Sequence, residues 1–173
     1  MLRTGRLLLS PLHAGDRDEL SRLWRKPEVR EFLFDGETLS DERIVELITQ
    51  SEKDFATANF GFWAVREIGG DGSLIGTAGL RRLDDGPELE VVYSLDPACW
   101  GRGLAGEAAA AVVDYAFEVL GVGRVLAEID EGNTASLAVV ERLGMRPFET
   151  VPGVLGPMIH FALANPGQVA ETE

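Results

Sequence analysis

The chain has 173 residues, of which 45% are hydrophobic and 26% are charged, a composition typical of one globular domain. Its formal net charge of −13 argues against a nonspecific nucleic-acid binder, which would need cations to neutralise phosphates. No segment approaches the roughly 20 consecutive apolar residues of a membrane-spanning helix, and the first residues lack the apolar core of a signal peptide. We therefore expect a cytoplasmic protein without nucleic-acid or membrane partners.

Cysteine and histidine are scarce in this sequence. Cys99 is the single cysteine, which excludes an internal disulfide. The two histidines, His13 and His160, have no cysteine cluster near them. Structural zinc sites need four such ligands, so we expect no metal.

The first half of the chain predicts one strand, several helices and then three strands. An apolar run at 6–12 predicts the first strand, and Ser40 is predicted to be the N-cap of the clearest early helix. The predicted helices of this half span 18–24, 28–33 and 40–55. The three later strands are predicted at 60–68, 73–83 and 88–95. Short turns rich in Gly, Asp and Pro join them, which indicates an antiparallel meander.

The second half alternates helices and strands. Alanine-rich and apolar periodic segments predict helices at 107–120 and 135–143, and β-rich segments predict strands at 124–129, 146–150 and 158–163. Together these elements predict an α+β fold with a single mixed, mostly antiparallel central sheet flanked by helices. We expect one domain over residues 1–164 and a disordered C-terminal tail over 165–173.

A glycine-rich loop separates the strand at 88–95 from the long helix. Gly101, Gly103 and Gly106 remove side chains from a place where several backbone N–H groups meet the positive end of a helix dipole, which suits a phosphate or pyrophosphate. No Gly-Lys-Ser/Thr follows, so the loop is not an ATP-binding or GTP-binding P-loop. Glycines that merely permit a tight turn explain one such residue more easily than three.

The same glycines match the dinucleotide-binding pattern G-x-G-x-x-G, with Glu128 and Asp130 downstream as candidate ribose ligands. Three features oppose this alternative. Residues 96–100 separate the strand from the glycines, the preceding 90 residues lack βαβ units, and too little chain follows Asp130 for a doubly wound sheet.

The segment from Tyr93 to Met145 resembles the core of the GNAT-type N-acetyltransferases, and in particular the branch that acetylates N-terminal alanine and serine of ribosomal proteins. Its sequence is YSLDPACWGRGLAGEAAAAVVDYAFEVLGVGRVLAEIDEGNTASLAVVERLGM. The segments TGRLLLSPLHAGDRDEL and FWAVREIGGDGSLIGTAGL also resemble that branch. The resemblance implies the GNAT fold, acetyl-CoA as cosubstrate and a primary amine as acceptor.

The resemblance also implies which residues bind acetyl-CoA. The family's pyrophosphate loop falls on Trp100, Gly101, Arg102, Gly103, Leu104 and Ala105, followed by Gly106. Trp100 replaces the usual Gln or Arg, whereas the glycine and the small residue match. A backbone N–H near Ser94 or Leu95 is expected to bind the thioester carbonyl. Asn133 and Ser136 match the branch's Asn-x-x-Ser, which contacts the pantetheine arm; Asn133 is also a good helix N-cap.

Amine acetylation requires a neutral amine, and alkyl amines titrate near a pKa of about 10, so a base is needed. Glu88 and Glu90 lie on the strand beside the expected thioester and share one face. The resemblance favours Glu90 as the base over Glu88. Both could instead be solvent-facing acids.

The leaving thiolate is stabilised by a proton donor, which in many members of the family that this chain resembles is a tyrosine. Val140 occupies that position here, so Ser136 is the remaining candidate acid. We expect Tyr93 to lie in the core and Cys99 to be a small buried residue rather than a nucleophile.

The sequence does not name the acceptor, which is either a protein N-terminus or a small cationic amine, and it leaves a homodimer open. Two other functions remain as alternatives, a noncatalytic acyl-CoA-binding or regulatory module and a dinucleotide-binding protein.

Overall fold

The computed structural model describes residues 1–169, which form one eight-stranded sheet with helices on both faces. The strands are β1 (Leu2–Arg3), β2 (Leu7–Pro11), β3 (Phe62–Glu67), β4 (Gly76–Arg82), β5 (Leu89–Leu95), β6 (Arg124–Asp130), β7 (Arg146–Gly153) and β8 (Gly156–Ala164). The α-helices are α1 (Arg17–Trp24), α2 (Pro27–Leu33), α3 (Asp41–Ala58), α4 (Leu104–Glu118), α5 (Thr134–Arg142) and α6 (Pro166–Val169). The predicted α+β class with a mixed, mostly antiparallel sheet is confirmed.

The strand order is β1-β2-β3-β4-β5-β6-β8-β7. Every neighbouring pair is antiparallel except β5 and β6, which run parallel. Strands β4 and β5 keep continuous register over seven residue pairs, whereas β5 and β6 are paired at one position, Glu90 opposite Leu126. The two parallel strands therefore separate towards their C-terminal ends, and the sheet opens between them.

Two hydrophobic cores lie on opposite faces of the sheet. The larger core packs α4 against alternate residues of the strands, including Val91 and Leu95 of β5 and Val125 and Ala127 of β6. The smaller core lies under α1, α2 and α3 and includes Ala64 of β3. Because side chains alternate along a strand, Glu90 of β5 faces the α1–α3 side, opposite Val91.

Local signals explain where the long helices begin. Ser40 accepts a hydrogen bond from the backbone N–H of Arg43, as predicted for the N-cap of α3. Helix α4 begins at Leu104, three residues earlier than predicted. Gly103 adopts a left-handed conformation with φ of 76°, which lets the chain turn directly into the helix, and Gly106 lies in its first turn.

Two parts of the chain differ from the expectations. The short strand β1 pairs with β2 and was not predicted from the sequence. Within the predicted tail, Asn165 is buried and its side-chain amide donates to Val122 O at 2.9 Å. Gln168 of α6 likewise donates to Gly121 O, so both side chains contact the segment between α4 and β6. The rest of that predicted tail, 170–173, lies outside the described residues.

No helix within residues 1–169 combines the length and the apolar character needed to cross a bilayer.

Candidate active site

A cavity of about 600 Å³ lies where β5 and β6 separate. Residues of α4 and α5 line it on the side of the larger core, and residues of α2 line it on the opposite face of the sheet. The cavity therefore passes through the sheet.

The glycine-rich loop forms one end of this cavity. Gly101, Gly103 and Gly106 all line it, and a Cβ atom on Gly101 or Gly106 would meet no atom within 4 Å. Leu104, Ala105 and Gly106 form the first turn of α4, whose N–H groups have no intrahelical acceptor. The N-terminus of α5 reaches the same cavity through Asn133. The loop end thus presents open space, free N–H groups and the positive ends of two helix dipoles, which suits an anion.

The N-terminal residues hold the start of α4 in place. Thr4 Oγ1 donates to the Glu107 carboxylate at 2.6 Å, and Arg6 forms an ion pair with the same carboxylate at 2.7 Å. Arg6 also donates to the carbonyl oxygen of Arg102 at 2.9 Å. The loop is therefore fixed by contacts that span about a hundred residues of sequence.

Arg102 differs from its expected place. Its guanidinium binds both carboxylate oxygens of Glu67 at 2.8 Å, and its side chain does not line the cavity. This bidentate pair lowers the pKa of Glu67 below its usual range. A different cation, Arg142 of α5, lines the cavity and forms no ion pair within residues 1–169. Arg142 was not predicted, because nothing in the local sequence shows which face of α5 meets the cavity.

The backbone N–H groups of Ser94 and Leu95, both expected as donors to the thioester carbonyl, point to opposite sides of β5. Asp96 N donates to Ile75 O next to β4, whereas Leu95 O accepts a hydrogen bond from the Trp100 indole at 2.9 Å. Successive residues of a strand direct their N–H groups to opposite sides, so the N–H of Leu95 faces the opening and that of Ser94 faces β4. The same alternation directs the N–H of Tyr93 into the opening. The backbone N–H groups of Tyr93 and Leu95 are therefore better placed than that of Ser94 to donate to a carbonyl group in the cavity.

The side chain of Ser94 forms a hydrogen bond with Thr77 on β4, with 2.7 Å between Oγ of Ser94 and Oγ1 of Thr77. Trp100, which replaces the family's usual polar residue, lines the cavity with 50% of its surface exposed.

The structure separates the two candidate bases. Glu90 lines the cavity and is 3% exposed, and it forms an ion pair with Arg81 of β4. Burial raises the pKa of Glu90, although the Arg81 guanidinium opposes this shift. Glu88 precedes β5, lies outside the cavity lining and pairs with Arg124 at 2.8 Å. Glu90 therefore has both the cavity access and the raised pKa expected of a general base, whereas Glu88 does not reach the cavity.

Ser136 and Asn133 both line the cavity. The Asn133 side chain accepts a hydrogen bond from Ser136 N at 3.2 Å, so Asn133 does cap α5. Tyr93, expected in the core, also lines the cavity and donates from its hydroxyl to the carbonyl oxygen of Ser136 at 3.2 Å. Burial raises the pKa of Tyr93 to about 12. Val140 is fully buried and does not reach the cavity.

Cys99 is partly exposed rather than buried and lines the cavity beside the loop. Burial and the nearby Asp96 carboxylate raise the pKa of its thiol, so the thiol is protonated at neutral pH and is a poor nucleophile. No group of three or more His, Cys, Asp or Glu residues within 1–169 has the geometry to hold a metal ion.

Two acidic residues of β6, Glu128 and Asp130, line the cavity on the α2 side. From the sequence, these two residues are candidates only for ribose ligands of a dinucleotide. Their position follows from the separation of β5 and β6, which exposes that face of β6. The one sequence signal for their position is that two acidic residues alternate along a strand that precedes a helix.

Comparisons with known proteins agree with this geometry. Residues 6–146 match the family model for the acetyltransferase (GNAT) domain. An uncharacterized N-acetyltransferase, p20, from Bacillus licheniformis is 28% identical over 172 residues, covering 94% of each chain.

Solved structures share the fold. A protein from Bordetella pertussis, described as a GnaT-family acetyltransferase, superposes with a TM-score of 0.82 at 26% identity and covers 94% of this chain and 98% of its own. A ribosomal-protein alanine acetyltransferase from Vibrio fischeri shares the fold with a TM-score of 0.79 at 16% identity, covering 95% and 96%.

The fold and the cavity define an acyltransferase that acetylates amines. The chain belongs to the GNAT acetyltransferase family, as the family model covers most of its length. This membership favours an enzyme over a noncatalytic binding module. It also excludes the doubly wound dinucleotide-binding fold, since β5 and β6 are the one parallel pair in the described sheet.

Proposed function

We propose that the protein binds acetyl-CoA at the loop end of the cavity and transfers the acetyl group directly to a primary amine that enters from the α2 side. The observation that carries this proposal is the continuous cavity through the sheet. It joins the free N–H groups of one helix turn to the buried carboxylate of Glu90. Two substrates entering from opposite faces can therefore meet without a covalent enzyme intermediate.

The residues at the loop end fit the pyrophosphate of acetyl-CoA. Gly101, Gly103 and Gly106 leave room for phosphate oxygens, and the first turn of α4 supplies the N–H donors. Arg142 adds a cation to a chain with a net charge of −13. Trp100 offers an exposed indole at the cavity wall. When bound, acetyl-CoA supplies the activated thioester.

Near the separation of the strands, the chain's own groups support the transfer. The backbone N–H of Tyr93 or that of Leu95 donates to the carbonyl oxygen and stabilises the negative charge that develops on it. The two groups lie about 6.6 Å apart along the strand, so one of them binds this oxygen. Glu90 accepts a proton from the acceptor's ammonium group, directly or through water, and the neutral amine that results attacks the thioester carbonyl carbon. The raised pKa of Glu90 keeps it a stronger base than an exposed glutamate.

The sulfur that leaves as a thiolate is stabilised by a hydrogen-bond donor. The Ser136 hydroxyl is our candidate, because Ser136 lines the cavity at the start of α5. Tyr93 positions it by donating to its carbonyl oxygen. The phenol of Tyr93 stays protonated throughout the neutral range, since its pKa is about 12.

Thiol release from acetyl-CoA tests this function. The protein is incubated with acetyl-CoA and one of several amines, namely Ala-starting and Ser-starting peptides, spermidine and an aminoglycoside. An enzyme-only blank corrects for Cys99, which can react with the thiol reagent. Amine-dependent release, with acetylated amine in the mass spectrum, supports the proposal. No release with any amine, under conditions in which calorimetry detects acetyl-CoA binding, would contradict it.

A further inference from the structure

The β1–β2 turn, residues 4–6, contacts the start of α4 through one carboxylate. Thr4 Oγ1 donates to Oε1 of Glu107 at 2.6 Å, and the backbone N–H of Arg6 donates to the same oxygen at 3.0 Å. The side chain of Arg6 donates from Nε to Oε2 at 2.7 Å. Both carboxylate oxygens therefore have donors from this turn, although Thr4, Arg6 and Glu107 all lie outside the lining of the active-site cavity.

Arg6 also fixes one peptide unit of the glycine-rich loop. Its Nη1 atom donates to the carbonyl oxygen of Arg102 at 2.9 Å. In a trans peptide the C=O and the following N–H point in opposite directions, and no peptide bond in residues 1–169 is cis. The N–H of Gly103 therefore points away from Arg6. Gly103 lines the cavity, and its N–H has no acceptor within the described residues, so it is available to a ligand of the loop.

The charge of Glu107 matters because this residue lies next to the expected anion site. Its backbone N–H donates to Gly103 O at 3.1 Å, which places it one turn inside α4. Burial raises the pKa of this carboxyl, but the hydrogen bonds from Thr4 and Arg6 outweigh burial and hold the pKa below its usual range. The carboxylate is therefore ionised at neutral pH and, without Arg6, would repel a phosphate bound at the start of α4.

We propose that Arg6 and Thr4 are positioning residues for the pyrophosphate of acetyl-CoA. Arg6 neutralises the Glu107 carboxylate and orients the N–H of Gly103, and Thr4 holds the same carboxylate. Both act through other residues, because neither of them lines the cavity. This inference rests on the proposed function, since it concerns the phosphate end of the same cavity.

The contacts of Arg6 and Thr4 are confined to one end of the cavity. They reach α4 and the glycine-rich loop, whereas Glu90 and the donors to the thioester carbonyl belong to β5. The two residues therefore affect a thioester that carries the pyrophosphate and leave unchanged one that lacks it. A general loss of stability would affect both thioesters equally.

Two thioesters test this role. Acetyl-CoA is compared with S-acetylpantetheine, which has the same thioester arm without the pyrophosphate and nucleotide, by calorimetric dissociation constants and by kcat and KM with a fixed amine. The variants are Arg6→Gln and Thr4→Val, which removes the hydroxyl and keeps the shape. Arg3→Gln is the matched control, because Arg3 is exposed on the neighbouring β1 and lies outside the cavity lining.

We expect Arg6→Gln to raise the dissociation constant and the KM of acetyl-CoA about tenfold, as for the loss of a charged hydrogen bond, with little change in kcat. Thr4→Val shifts both constants in the same direction by a smaller factor, and Arg3→Gln leaves them unchanged. The kcat/KM for S-acetylpantetheine stays the same in all three variants, which also shows that they fold.

Unchanged affinity of Arg6→Gln for acetyl-CoA would overturn the inference, as would an equal loss with both thioesters. Equal use of the two thioesters by the wild-type protein would also overturn it, while acetyl transfer to an amine would still support the proposed function. Selective loss of acetyl-CoA binding in Arg6→Gln, without transfer to any amine by the wild-type protein, would support the inference and contradict the proposed function.

Discussion

Glu90 and Leu126 are opposite each other at the one position where the parallel strands β5 and β6 are paired. Beyond this pair, each strand continues without a partner on the facing side, and the cavity occupies the opening. The pair therefore places a buried carboxylate where the two strands begin to separate. Its side chain faces α2, whereas the glycine-rich loop lies at the start of α4.

Gly106→Val is expected to abolish acetyl-CoA binding while the fold persists. A Cβ at Gly106 meets no atom within 4 Å, so the fold has room for it, but the side chain would occupy the cavity. Ala110→Val is the control, because Ala110 lies on the same helix, is partly exposed and lies outside this cavity. Calorimetry with acetyl-CoA checks both variants. Unchanged binding by Gly106→Val would show that the phosphates lie elsewhere.

Glu90→Gln is expected to lower kcat/KM about 100-fold at neutral pH, the usual effect of removing a general base. In the wild-type protein, activity should fall as pH drops through the raised pKa of Glu90, because the protonated carboxyl cannot accept a proton. The variant should lose that acidic limb and recover at high pH, where the amine is already neutral. Glu88→Gln, outside the cavity, should retain the wild-type profile.

A wild-type profile in Glu90→Gln would remove Glu90 from the role of base. If Glu88→Gln lost activity and its pH–activity profile lost the acidic limb, Glu88 would be the general base.

Arg142→Gln is expected to weaken acetyl-CoA binding several-fold and to make the affinity less dependent on salt, because it removes an unpaired cation from the cavity wall. Arg102→Gln should leave the salt dependence unchanged, since Glu67 already neutralises that guanidinium. Dissociation constants at two salt concentrations check both effects. If Arg102→Gln changed the salt dependence of acetyl-CoA binding more than Arg142→Gln did, Arg102 rather than Arg142 would be the cation that contacts acetyl-CoA.

Asp130→Asn is expected to stabilise the protein at neutral pH. The pKa of Asp130 is raised by folding above its ordinary 3.8, so the native state holds a proton that the unfolded state has lost over the pH range between the two values. Stability therefore decreases as pH rises through that range, and the cost of the buried charge is complete above the folded pKa.

Removing the charge should raise the free energy of unfolding at pH 7 by about 1 kcal/mol, a rise in Tm of about 2–4 °C. The gain should disappear below pH 3.8, where both states of the wild-type carboxyl are protonated. Thermal unfolding at both pH values checks this. A destabilised variant at pH 7 would mean that Asp130 has a structural partner.

Much of the fold was predictable because its signals are local. The N-cap at Ser40, the turns between β3, β4 and β5, and the glycines before α4 each act within a few residues. The alternation of β5 likewise placed Glu90 on one face of its strand. The glycine-rich loop at 101–106 was likewise evident from the local sequence alone.

Other features depend on residues far apart in sequence and were missed. Glu67 binds the Arg102 side chain across 35 residues, and the loop is held by Thr4 and Arg6 about a hundred residues away. Tyr93 meets Ser136 only because α5 packs on the same face of the sheet. Nor does any local pattern show that β5 and β6 separate, which is what brings Asp130 to the cavity wall.

The most direct test of direct transfer is an initial-velocity study in which acetyl-CoA and a reactive amine are both varied. If both substrates occupy the cavity together, the double-reciprocal lines intersect, and the protein shows no acetyl adduct when the amine is omitted. Parallel lines, with an acetyl group on Cys99 in the intact mass, would indicate a covalent intermediate and contradict the account.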